Sequence, residues 1–173
     1  MAISLYDVSV ASFQQTVGAV AGVLDRGLAH CVENNIDPEE IVGFSLYPNM
    51  LPFRFQILSV AHHSIGAIEG VQKGIFNPPT AIEPLDYAGL QKLVADTSTA
   101  LAALTPEAVN ALEGKDMTFQ MRDFKIPFTA EGFLMSFSLP NLHFHATTAY
   151  DILRTKGVPL GKRDYLGQMR TKV

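Results

Sequence analysis

Cysteine occurs once, at Cys31. A lone cysteine can form no disulfide within the chain and no cysteine-rich metal knuckle. Its helical register with Leu24 and Leu28 reads it as a small buried hydrophobe rather than a reactive thiol. Long apolar runs are missing as well: none approaches the roughly 18 residues of a membrane span. The opening MAISLYD has neither the basic start nor the long greasy core of a signal peptide. A cytoplasmic protein that does not enter the membrane is expected. Positive charge is in short supply, with 13 Lys and Arg against 17 Asp and Glu and only the C-terminal tail basic. That balance argues against nucleic-acid binding. The glycine patterns of nucleotide sites are absent, and GFSLYP at Gly43–Pro48 is not the G-x-S-x-G nucleophile elbow.

The chain contains 173 residues, 47% hydrophobic and 17% charged, which suits one domain over 1–173 with a substantial core and is too little for two. No repeat or linker divides it. Val10, Phe13, Val17, Val20, Leu24, Leu28 and Cys31 recur at steps of three and four, predicting a first long helix over residues 4–34, capped by Ser4 with Asp7 behind it. Gly18, Gly22 and Gly27 weaken that helix in isolation, and their spacing suggests close approach of a neighbour. Asp37-Pro38-Glu39-Glu40 opens a short second helix. A long helix follows from Pro52 to Gly74, with Ile57, Ala61, Ile65, Ile68, Val71 and Ile75 as its stripe, and then an extended connector over Ile75–Leu85. Asp86 caps another helix to about Leu104, and Thr105-Pro106-Glu107 starts one further short turn. At Met117 the period changes to two: Met117, Phe119, Met121 and then Phe124, Ile126, Phe128 predict a β-hairpin, with Pro127 confining the second arm to an edge. The pattern indicates an all-α four-helix bundle with a small inserted β-hairpin.

The last helix, over Thr129–Gly157, carries the candidate site. At about 100° per residue, Leu134, Phe137, Ser138, Asn141, Phe144, His145, Thr148 and Ile152 share one arc, apolar at both ends and polar in the middle. Buried polar groups need partners or a ligand, so Ser138, Asn141, His145 and Thr148 are the candidate ligand-binding residues. Pro140 should kink the helix and free carbonyls beside Asn141. Of the adjacent pairs His62/His63 and His143/His145, only one member each should face a shared interior. His145 qualifies. His63 is favoured over His62 because it shares a strip with Ser59, Gly66 and Gly70. His63 and His145 could hold a divalent ion such as Zn or Ni, with Asn141 as a poor third ligand; hydrogen-bonded core histidines are the weightier reading. Leu139, Leu142, Tyr150 and Leu153, off the arc, suggest a homodimer surface. GKRDYLG, at Gly161–Gly167, offers either an anion grip or, with more weight, a tail pinned by Tyr165 and Leu166 with Lys162 and Arg163 in solvent.

SLYD at Ser4–Asp7, LPNLHFHATTAYDILRTKGV at Leu139–Val158 and the GKRDYLG after it together resemble an uncharacterised bacterial family within the DinB/YfiT-like superfamily. The resemblance spans essentially the whole chain. It implies a four-helix bundle, often dimeric. In the wider superfamily it implies a divalent metal held by one histidine on the second long helix and an H-x-x-x-H pair on the last, with thiol-transfer or isomerase activity in some members. Here the second-helix ligand would fall on His63 or His62 and the last on His145. The first histidine of the pair is replaced by Asn141. Three readings follow: a small-molecule-binding bundle with a degenerate metal site; a divalent-metal enzyme of the thiol-transferase or hydrolase type; and a structural homodimer without a small-molecule site.

Overall fold

Ser4 accepts from the Asp7 amide while the Asp7 carboxylate accepts from the Ser4 amide, so the chain enters its first helix, α1 (Leu5–Val8), through a reciprocal cap. The computed structural model describes residues 3–79 and 81–172; Thr80, in the expected connector, and Val173, in the tail, lie outside it. The predicted first helix is real but broken at Ser9, whose buried hydroxyl donates to the Leu5 carbonyl at 2.6 Å, before α2 (Val10–Asn34) begins. Next come α3 (Glu39–Val42), α4 (Phe53–His62), α5 (Ile65–Lys73), β1 (Ile75–Phe76), α6 (Tyr87–Ala102) and α7 (Pro106–Asn110). They are followed by β2 (Asp116–Met121), β3 (Phe124–Thr129), α8 (Ala130–Phe133), a π-helical segment over Leu134–Ser138, α9 (Leu139–Thr155) and α10 (Lys162–Leu166).

α2 packs on α6 and α9, and α4 packs on both of the same helices. The apolar faces of the four meet in one core, which includes Phe13, Leu24, Phe53, Ile57, Leu90, Leu101 and Leu142, all fully buried. Cys31 is buried among them, as its register suggested. Of the three glycines expected to mediate close approach, only Gly27 does: a side chain there would overlap the Tyr87 hydroxyl, which donates to the Leu24 carbonyl at 2.8 Å. Gly18 and Gly22 face open space.

The hairpin has the expected place and alternation. β2 and β3 pair antiparallel from Asp116↔Thr129 to Met121↔Phe124, and Arg122 takes the positive φ of 56° in the two-residue turn. Pro127 lies on the edge strand of the order β1-β2-β3. The all-α expectation needs correction here: the protein is mostly helical with a small three-stranded sheet, because Ile75 and Phe76 pair in parallel with Thr118 and Phe119. Gly74, at φ 75°, turns the chain out of α5 and its carbonyl accepts from the Thr118 amide at 3.0 Å, so the connector begins as a strand.

Candidate functional site

Two irregularities in long helices build the site. The helix expected over Pro52–Gly74 breaks at His63–Ser64, where the buried Ser64 hydroxyl donates to the Val60 carbonyl at 2.7 Å and to the Ala61 carbonyl at 3.2 Å. Such back-bonding competes with the helical ladder and bends it. The last helix widens into the π segment just before Pro140, which has no N–H to give and whose ring crowds the preceding turn. At this point the Ser138 hydroxyl donates to the His63 carbonyl at 2.7 Å, tying one irregularity to the other in the interior.

The link brings the imidazoles of His63 and His145 to a centroid separation of 5.7 Å with planes 13° apart, so the pair chosen from the sequence does meet. His62 joins them, 5.4 Å from His63. The setting is aromatic: Phe76 lies 4.3 Å from His62 and 5.5 Å from His63, Phe137 lies 5.9 Å from His63, and Phe55 and Phe144 lie 5.8 and 5.2 Å from His145. Gly70 admits Phe76, whose ring would lie 2.9 Å from a Cβ there. Within the strip of small residues near His63, Gly70 therefore makes room for β1, while Gly66 lies against the His62 ring.

Gln56 is a polar group of this cluster that the sequence pattern did not single out. Its Nε2 donates to the Leu51 carbonyl at 2.8 Å, which turns Oε1 toward His145 Nδ1, also at 2.8 Å. An amide oxygen only accepts, so Nδ1 carries the proton and Nε2 keeps its lone pair. The signal was present: Gln56 is the one long polar side chain in the buried series Phe53, Gln56, Ile57, Val60. Burial pushes His145 down to about 4, with the His62 imidazole adding to the shift. Burial pushes His63 down to about 3, with His62 and His145 adding. Both are neutral at physiological pH. Among the described residues, the buried His63 Nδ1 and His62 Nε2 have no hydrogen-bond partner.

The other expected site residues each donate to a backbone carbonyl. Ser138 serves the His63 carbonyl, the Asn141 amide donates to Phe137 O at 2.7 Å, and the Thr148 hydroxyl donates to Phe144 O at 2.8 Å. Phe144 is exposed, whereas Leu142 and Leu153, expected on a dimer surface, are fully buried. The cause is one of phase. A π turn inserts about one extra residue, and Leu142, Ala146, Ala149 and Leu153, each one beyond a position of the expected arc, are buried together with Thr148 and Ile152 of that arc. Asn141 and His145 are left at the edge of the stripe, half-buried. His143 points elsewhere, its Nδ1 3.5 Å from the Tyr165 hydroxyl. Tyr165 also accepts from Thr147 at 3.0 Å, Gln15 holds the Leu166 carbonyl, and Arg26 pairs with Asp164 at 2.7 Å. The GKRDYLG segment is thus a pinned tail with Lys162 and Arg163 in solvent.

The metal that the resemblance implies fits these residues poorly. His63 and His145 stand at two of the implied positions, but the Asn141 amide at the third donates to its own helix, and an amide is a weak ligand in any case. Among the described residues, no group of three or more His, Cys, Asp or Glu is placed to hold an ion.

Over residues 5–166 the chain matches the family described as Domain of unknown function (DUF1993), and it belongs to that family. Among solved structures it is similar to a DinB family member protein from Shewanella denitrificans, with 24% identity and a TM-score of 0.79 over 98% of this chain and 95% of that one. The likeness is one of fold. No curated protein matches.

Proposed function

We propose that this DUF1993 protein is a four-helix bundle that binds a small molecule between its helices, with His145, His63 and Gln56 as the polar centre and a degenerate divalent-metal site where relatives of the superfamily would hold an ion. The closed ring of contacts among α2, α6, α4 and α9 supports the bundle. The observation that carries the binding reading is the unused hydrogen-bonding capacity of the imidazole pair. His145 presents a lone pair on Nε2 by virtue of Gln56, and Nδ1 of His63, whose ring stacks on that of His145, is buried without a partner among the described residues. An orphaned buried polar atom costs about 1–3 kcal/mol, a cost that a bound ligand would offset. A neutral group that donates one hydrogen bond and carries a flat apolar body matches the lone pair and the surrounding phenylalanines. Cytoplasmic residence belongs to this reading, on the sequence grounds given above.

The second reading, a divalent-metal enzyme of the thiol-transferase or hydrolase type, draws support from the same pair, because a histidine held by its second nitrogen is the usual state of a metal ligand. Metal analysis of protein purified without a histidine tag, with a thermal-shift ligand screen run with and without Zn and Ni, separates the two. Substoichiometric metal, with stabilising organic ligands that lose their effect in His145→Ala, is the expected result. Stoichiometric metal that disappears in His145→Ala would replace the proposal with the enzyme.

A further inference from the structure

A groove of about 270 Å³ opens on the other side of His62, between α4, α5 and α6, and does not involve the His63–His145 pair. Its walls are Phe55, Leu58, Ile65 and Leu93, and its polar groups are His62, Thr97, Glu69 and Glu83. Among the described residues, no lysine or arginine lines it. The volume is at the small end of ligand pockets, about 300–1,000 Å³, which limits an occupant to one ring or a short chain. The signs of charge narrow the class further. Two carboxylates face an anion unfavourably and a cation favourably, and an aromatic wall at Phe55 also favours a cation. Glu69 is shared with Lys73 at 3.5 Å, which leaves Glu83 as the principal anchor.

We propose that this groove binds a small apolar molecule carrying a protonated amine, its body against Phe55, Leu58 and Leu93 and its ammonium at the Glu83 and Glu69 carboxylates. The test is a titration of the full chain with 2-phenylethylamine, 2-phenylethanol and 3-phenylpropionate, followed by amide chemical shifts. These probes share a body and differ in head charge. Saturable binding of the amine is expected, with shifts centred on Leu58, Ile65 and Leu93 and affinity at least about tenfold above that of the alcohol. Glu69 and Glu83 are exposed, so Glu83→Gln and the double variant with Glu69→Gln should fold normally while losing that preference. His145→Ala should leave amine binding intact, which separates this site from the one proposed above. Equal affinity for amine and alcohol, a preference for the propionate, no saturation by any probe, or a preference that survives the double variant would each overturn the proposal.

Discussion

The Ser138 hydroxyl and the His63 carbonyl meet at 2.7 Å where two helices have both lost their regular hydrogen bonding. Breaks of this kind expose backbone groups that need partners, and here one break supplies the donor and the other the acceptor. The same contact sets His63 against α9 and so places its ring beside His145. Ser138→Ala removes the donor and strands a buried carbonyl, so it should destabilise the fold by about 1–2 kcal/mol. The His63–His145 contact should loosen with it. Urea unfolding measures the first and cross-peaks between the two imidazoles the second; a variant as stable as the parent would show that the carbonyl finds another partner.

The one-residue phase shift after the π segment makes a sharp contrast between neighbours. Leu142 is fully buried and Phe144 is 57% exposed. Leu142→Ala should cost about 2–5 kcal/mol, whereas Phe144→Ser should stay within about 0.5 kcal/mol of the parent. A regular helix with the arc read from the sequence predicts the reverse order, and paired denaturation curves decide between them.

What was legible follows from where periods are long. The stripe from Val10 to Cys31 and the alternation from Met117 to Phe128 each repeat often enough to place α2 and the hairpin. β1 is only two residues and has no period to read. Ser9 and Ser64 break helices through hydroxyls bonded to carbonyls four residues back, but serine is also common in unbroken helices, so neither break announces itself. Pro140 did announce a disturbance. Its form, one residue gained rather than a simple bend, moved Phe144 out and Leu142 in. His145 stayed near the interior because it lies close to the edge common to both phases.

Asn141 tests whether that disturbance is held by a side chain. Its amide donates to Phe137 O at 2.7 Å inside the widened turn, so Asn141→Leu should destabilise the protein by about 1 kcal/mol. For a chain of this size that lowers the melting temperature by about 2–4 °C. Calorimetry measures it; a variant of equal or greater stability would return Asn141 to the role of a ligand-facing group.

Gln56 fixes which nitrogen of His145 holds the proton. In Gln56→Leu the hydrogen bond is lost and the imidazole should distribute between tautomers, visible in its nitrogen shifts. In Gln56→Glu a carboxylate faces Nδ1, favours the imidazolium and should raise His145 from its position near 4 by at least about one unit. A nitrogen spectrum that is the same in all three proteins would remove Gln56 from the site.

Stability should fall on the acid side because burial lowers the pKa of four imidazoles, His62, His63, His143 and His145, with the large shifts at His63 and His145. His63 moves from 6.5 to about 3 and His145 from 6.5 to about 4 on folding, both chiefly by burial. Between those limits the unfolded chain binds protons that the folded chain does not, so stability rises with pH in this window. The full contribution is present above about pH 6.5 and is lost as pH falls toward the folded values. The buried His63 alone contributes about 1.4 kcal/mol per pH unit between roughly pH 6 and 4; His145, half-buried, adds a smaller amount in the same direction. His63→Leu removes the most strongly shifted of these groups, so a plot of urea midpoint against pH should be shallower in the variant than in the parent, whatever the variant's stability at neutral pH. Identical acid slopes would mean that His63 takes up its proton in the folded protein as readily as in the unfolded one.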